Sequence, residues 1–431
     1  MTFELNIKTM YQHNKLDSGL NLVTVPMKGT RTVTVLVLVG AGSKYETKQN
    51  NGISHFLEHM FFKGTKNRPN TMDIATELDG VGASYNAFTD KECTGYWVKL
   101  DATQKKLGLD VVSDMLLNSK FAQEEIDRER GVITEEINMY HDNPLMYIDD
   151  VFEECLYGDT PAGWEIIGPK KNIKKFQRKD FLDYFKKQYG AENTVVCIAG
   201  NVDSEDSKKV VEDYFKKIRQ TQPRKKQPVQ DKQSSPQIKL KYKDTDQVSL
   251  ALGVRAYPVD HEDEFTAKMI STVLGGSMSS RLFTQLRERG GLAYYVRTFY
   301  EAYSDSGYIA TQAGVPKNKL DRSIDIILKE YQRIKDEGLD EKELQRTKDL
   351  IRGRMVLQLE GSDNVANWYA RQATFRKDIL TLKQFLDKID KVTAEDVKRV
   401  GEDIFQNKGL NLALIGPFKE KAGFKKKLYL N

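Results

Sequence analysis

Residues 32–39, TVTVLVLV, form a strand-length run in which every position but the two threonines is apolar. Moving 216 positions along the chain lands on residues 248–255, VSLALGVR, a second run of the same kind. Runs of this length and branching read as buried β-strands. The same shift places Ile173 on Ile389, Asp180 on Asp396 and Gly200 on Gly416. Near the end of each half a short helix beginning around Asp180 or Asp396 leads to an apolar strand, Asn193–Ala199 or Gly409–Ile415. Each strand ends in Gly, followed by a polar or proline turn and a lysine-rich helix. Ordered agreement at one fixed shift is the mark of a duplicated domain. The stretch between the halves, residues 220–237, is rich in Pro, Gln, Lys and Ser and carries Pro223, Pro228 and Pro236, a linker composition. The expected division is therefore a domain over 1–219, a linker over 220–237 and a homologous domain over 238–431. Strands mixed with long helices predict an α+β fold, a sandwich of sheet and helices in each half.

The totals agree with two domains. A chain of 431 residues exceeds the size at which one core keeps growing. Its 39% hydrophobic and 30% charged residues are those of an ordinary globular protein. The 67 basic and 62 acidic residues nearly cancel to +5, so composition gives no case for nucleic-acid binding. No apolar run approaches the ~20 residues of a membrane helix. The segment Met1–Lys8 has an acid at position 4 and reads as neither a secretory nor a transit leader. Cys93, Cys155 and Cys197 are odd in number, widely spaced and without a CxxC pair, so neither a disulfide framework nor a cysteine zinc site is indicated and a reducing, cytoplasmic setting is expected.

The chemistry concentrates in His55-Phe56-Leu57-Glu58-His59. On a helix His55 and His59 lie one turn apart and can reach one ion, while Glu58 sits beside them with the reach of a general base rather than a ligand. The order HxxEH is the inverse of HExxH, the inverzincin pattern. Asn51-Gly52 supplies a turn before it, Ser54 lies near the helix start, and Gly64-Thr65 ends the segment. Two of only five histidines stand at ligand spacing with an acid between them, which weakens the reading of two buried structural histidines. The shift of 216 puts Ser271, Leu274 and Gly275 at the three positions, so only the first half is expected to bind metal. A third ligand is sought in the acidic helix of residues 123–139, where Glu129 and Glu136 are two turns apart on one face and Glu124 and Glu135 point elsewhere. Ile126, Val132, Ile133 and Ile137 give that helix a packed side.

With these residues in view, essentially the whole chain resembles the M16 metallopeptidase family, in particular its short-chain branch that includes mitochondrial processing peptidase and bacterial relatives. The motif HFLEH is followed by ERGVITEE, with 76 residues between His59 and Glu136. The resemblance implies a fold of two homologous α/β sandwich domains, LuxS/M16 peptidase-like, and one zinc ion per chain. It makes Glu136 the third ligand, Glu129 the acid that supports the site from behind, and Glu58 the catalytic base. The stretch GVGASYNAFTDKECTGYWV resembles the family's substrate-accepting edge strand, with Asn86, Ala87 and Phe88 at the contact positions; read alone, it is an internal pair with Thr94-Gly95-Tyr96 opposite. The stretch LGGSMSSRLFTQLRERGGLAYYV resembles the glycine-rich segment and the arginine and tyrosine that follow it. Arg287 and Tyr294 then anchor substrate and polarise its carbonyl, although Ser277 stands where many relatives have a third glycine. On residues alone, Arg287 is a surface ion pair and Tyr294 a core aromatic. The resemblance implies a zinc endopeptidase acting on unfolded or targeting and precursor peptides. It further implies a closed chamber of two chains, a homodimer or a pairing with an inactive homologue, with no nucleic-acid or membrane partner. The other class it admits is a non-catalytic assembly subunit.

Overall fold

An apolar run without polar alternation needs cover on both faces of its sheet, and residues 32–39 have it. A computed structural model describes residues 11–431; the stretch Met1–Lys8 read for a leader lies outside the described residues. Strand β3 (Thr32–Val39) is buried at every position after the first. It lies inside a six-stranded sheet with β1 (Gln12–Lys15), β2 (Asn21–Pro26), β4 (Ser84–Thr89), β5 (Thr94–Asp101) and β6 (Thr194–Gly200), in the order β1-β2-β6-β3-β5-β4. A second sheet holds β7 (Gln237–Tyr242), β8 (Gln247–Ala256), β9 (Tyr295–Ala302), β10 (Gly307–Pro316) and β11 (Asn411–Gly416), in the order β7-β11-β8-β10-β9.

The duplication is visible in these orders. Without β1, the first sheet runs β2-β6-β3-β5-β4, the same path through the chain as the second. The pairing senses also repeat: β2 with β6 and β7 with β11 are parallel, and every other neighbouring pair in both series is antiparallel. The helices that precede β6 and β11, Arg178–Gln188 and Ala394–Ile404, both begin with a capping box. In each, the aspartate picked out by the shift accepts from a backbone N–H: Asp180 from Gln177 at 2.8 Å and Asp396 from Thr393 at 3.0 Å. A reciprocal cap satisfies amide groups that a helix start leaves unpaired, which explains why these two starts were legible.

Packing divides the chain into two units whose borders differ from the expected 1–219, 220–237 and 238–431. One unit takes the chain up to Glu135, then Glu165–Gln227 and Val356–Thr381; the other takes Glu136–Trp164, Pro228–Met355 and Leu382–Asn431. The border in the linker falls between Gln227 and Pro228, and one helix from each half is exchanged. Helix Ser362–Phe375, late in the chain, packs on β2, β3 and β6, joining Val365, Ala366, Tyr369 and Ala370 to Val23, Val25, Leu36, Leu38 and Cys197. Helix Lys105–Asn118 packs on β3 and β5 and brings Gly108 within contact of Val35, whose side chain alternates with those of Leu36 and Leu38. In the second unit, helix Pro144–Tyr157 packs on β7, β8 and β11 through Ile148, Val151 and Phe152. The exchange follows where apolar partners lie, which chain order does not encode.

Among the described residues, no helix is long and apolar enough to cross a membrane, and Cys93, Cys155 and Cys197 are free thiols.

Candidate metal centre

The segment with both histidines forms the helix Ile53–Met60, shorter than the apolar pattern through Phe62 implies. Its inner face is Ile53, Phe56, Leu57 and Met60, all buried, with Phe56 edge-on to Phe181 at 4.8 Å between centroids. His55, Glu58 and His59 fall on the half-buried side. Gly52 precedes the helix at φ 98°, a left-handed conformation that favours glycine, and a Cβ there would come within 2.8 Å of the Ile167 carbonyl oxygen. Ser54 does not cap the helix. The carboxylate of Glu46 does: one oxygen accepts from the Ser54 amide at 2.8 Å, and the other from the Gly52 amide at 2.8 Å and the Asn51 side chain at 2.9 Å. Burial pushes the Glu46 carboxyl above its ordinary pKa, against the lowering by these donors. The Ser54 hydroxyl is hydrogen-bonded with that of Tyr184 at 2.7 Å.

The third donor comes from the helix Gln123–Asp142. Ile126, Glu129, Ile133 and Ile137 are buried along one face, while Glu124 and Glu135 are exposed. Val132, expected on the packed side, is 53% exposed, because it lies one residue off the stripe. Glu136 is half-buried next to that stripe. His55, His59 and Glu136 each offer one ligand atom, and these atoms lie within 4.8 Å of one another, the only such group of three or more His, Cys, Asp or Glu residues among the described residues. Two imidazoles and a carboxylate are a borderline donor set suited to zinc, with room left for a water.

The surrounding contacts fix these groups. Nδ1 of His59 meets Oε1 of Glu129 at 2.8 Å, leaving Nε2 for an ion. Oε2 of Glu129 accepts from the Lys63 ammonium at 2.6 Å. Burial raises the Glu129 carboxyl, but His59 and Lys63 outweigh it and hold its pKa below the ordinary value. Glu58 is held by Thr89, whose hydroxyl donates to Oε2 at 2.6 Å.

Asn86, Ala87 and Phe88 lie on β4, which pairs with β5 opposite Trp97, Tyr96 and Gly95 and has no second strand neighbour among the described residues. The internal pairing and the open edge are therefore both present. Gly95 makes room for Phe88, since a Cβ there would lie 2.4 Å from the ring.

In the second unit, Arg287 and Tyr294 come together, the guanidinium carbon 5.7 Å from the tyrosine ring centroid and 5.0 Å from that of Phe283. Arg287 makes no ion pair among the described residues, and Tyr294 is 77% exposed, which removes the reading of a core aromatic. Ser271, Leu274 and Gly275 are buried, and Gly275 lies against Thr298 of β9. Sequence reasoning did not single out Glu46, Lys63 or Thr89; Thr89 stands inside the quoted strand motif, but no spacing rule ties it to Glu58.

The chain is similar to known proteins along nearly its whole length. Residues 22–170 match the model described as Insulinase (Peptidase family M16), and residues 175–351 match the Peptidase M16 inactive domain. The uncharacterized zinc protease YmxG of Bacillus subtilis is 33% identical over 95% of this chain and 98% of its own length. In fold, a protease from Helicobacter pylori matches with a TM-score of 0.86 at 23% identity, covering 94% of this chain and 99% of that one. A chain of Complex III2 from Candida albicans matches at 0.82 and 17% identity, covering 97% and 99%. Family models over both halves and a relative alike along nearly its whole length place this chain in the M16 peptidase family.

Proposed function

We propose that this chain is a zinc-dependent endopeptidase of the family's short-chain branch, hydrolysing unfolded, targeting or precursor peptides within a closed chamber formed by two chains. The observation that carries the reading is the convergence within 4.8 Å of donor atoms from His55 and His59, on the helix that also presents Glu58, and from Glu136 on the helix Gln123–Asp142. A zinc ion bound there supplies the Lewis acidity that makes a water nucleophilic at neutral pH. His59 is oriented for its ligand role by Glu129, and Glu129 by Lys63. Glu58 removes the proton of the attacking water and returns it to the leaving amine. Tyr294, exposed and beside Arg287, donates to the oxyanion, and Arg287 anchors the peptide. The open edge of β4 accepts the peptide as an added strand, so backbone hydrogen bonds recognise an extended chain while side-chain pockets set preference. Because one chain carries both the metal donors and the Arg287 and Tyr294 pair, two identical chains suffice, and a pairing with an inactive homologue is the variant of this arrangement. The free thiols accord with a cytoplasmic setting.

The test is metal content together with cleavage of a quenched unfolded peptide. One zinc per chain, turnover blocked by a chelator, and Glu58→Gln that keeps zinc and loses turnover are expected. Retained turnover in Glu58→Gln sinks the base assignment. Zinc bound without turnover in the unaltered chain moves the protein to the class of assembly subunits, and a fully active monomer in light scattering removes the chamber.

A further inference from the structure

The edge strand β4 ends at Thr89, and the geometry points to Thr89 as the residue that positions Glu58, so that the strand proposed to dock the peptide also aims the base. This rests on the peptidase reading above. Along β4 the side chains of Tyr85, Ala87 and Thr89 share one face and those of Asn86 and Phe88 the other. The Tyr85 ring stacks on Phe62, just beyond the His55 helix, with centroids 6.5 Å apart, so the Thr89 face is the one that meets that helix. Thr89 reaches Oε2 of Glu58 at 2.6 Å.

Proton accounting makes the contact directional. An ionised carboxylate only accepts, so the Thr89 hydroxyl spends its one proton on Glu58. The other oxygen nearby is the Thr94 hydroxyl, 3.5 Å from Thr89. Thr94 already donates to the Ala41 carbonyl at 2.8 Å, so it has no proton for Glu58 or Thr89. Thr89 is therefore the donor to Oε2, and Oε1 is left as the oxygen that takes the proton in the reaction. A charged hydrogen bond of this length restrains the carboxylate rotor. The two duties fall on one strand: residues 86–88 set the register of the docked peptide, and the next residue sets the base against it.

Thr89→Val removes only the hydroxyl while keeping a β-branched side chain suited to a strand. Full zinc content, a KM within about twofold of the unaltered chain and a kcat lower by about 10- to 100-fold are expected, with Thr89→Ser restoring kcat to within about threefold. An unchanged kcat, a loss confined to KM, a loss that tracks zinc release, or a failure of serine to rescue each overturns the proposal. The two readings fail separately. If the unaltered chain cleaves and Glu58→Gln does not, an unaffected Thr89→Val defeats only the positioning role. If the unaltered chain does not cleave at all, the peptidase reading falls. The carbon-13 resonance of the Glu58 carboxyl, assigned by its loss in Glu58→Gln, then decides the contact: a shift in Thr89→Val restored by serine upholds it, and no shift ends it.

Discussion

Glu129 illustrates how a residue outside a candidate donor set can hold one of its members in place. The side chain is 4% exposed, and its two oxygens are committed to His59 and Lys63. A carboxylate in that position fixes the ring orientation of His59 and raises the basicity of its other nitrogen. Glu129→Gln keeps the shape but loses the charge that His59 and Lys63 stabilise. Zinc affinity is expected to fall by roughly 10- to 100-fold, read by competition with a chromophoric chelator; an unchanged affinity would show that the contact does not orient the ligand. At this scale the histidines and Glu58 were legible because their relation is local, one turn of helix. Glu136 and Glu129 were narrowed by the seven-residue period and selected by family resemblance. Thr89 was not legible, since it lies 31 positions from Glu58 and meets it only where the His55 helix packs on β4.

A helix is set by its ends as much as by its stripe, and the His55 helix takes its start from a residue outside its own pattern. Glu46 places two acceptor oxygens at the end where amide groups point outward without partners. The sequence suggested Ser54 as the polar residue at the start, whereas the Ser54 amide is itself one of the donors to Glu46. Nothing in the spacing of Glu46 announces this, because the chain between them turns back at Thr47–Asn50, where the Asn50 amide donates to the Thr47 carbonyl, and passes through the left-handed Gly52. By contrast, the helices at Arg178 and Ala394 carry their caps within three residues, and both starts could be read from their aspartates. Glu46→Ala strands three buried donors, each at a cost on the order of 1–3 kcal/mol. A lower unfolding midpoint and weaker zinc binding are expected together, since both histidines ride on this helix. A lower midpoint with unchanged zinc affinity would confine Glu46 to stability.

At the level of the whole molecule, the duplication was legible and the allocation of helices was not. A fixed shift detects two copies of one pattern, and strand order and pairing sense repeat as that demands. An apolar helix face, however, says only that it is covered, not by which sheet. The helices Pro144–Tyr157 and Ser362–Phe375 are therefore the segments that a cut at 219 or 238 assigns to the wrong sheet. The exchange makes a prediction about fragments. Residues 1–219 produced alone retain the first sheet and the three candidate ligands but lack Val365, Ala366, Tyr369 and Ala370, which cover the face formed by Val23, Val25, Leu36 and Leu38. Each fully buried side chain of that size contributes about 1.5–3 kcal/mol, so losing the cover removes a large share of a domain's net stability. The fragment is expected to aggregate or to lack a cooperative thermal transition. Co-production with residues 220–431 is expected to restore a soluble complex, because the missing helix returns in that piece. A fragment 1–219 that stays soluble and unfolds cooperatively by itself would show that the exchanged helix is dispensable to the first sheet, and that the division read from the linker is the one along which the protein folds.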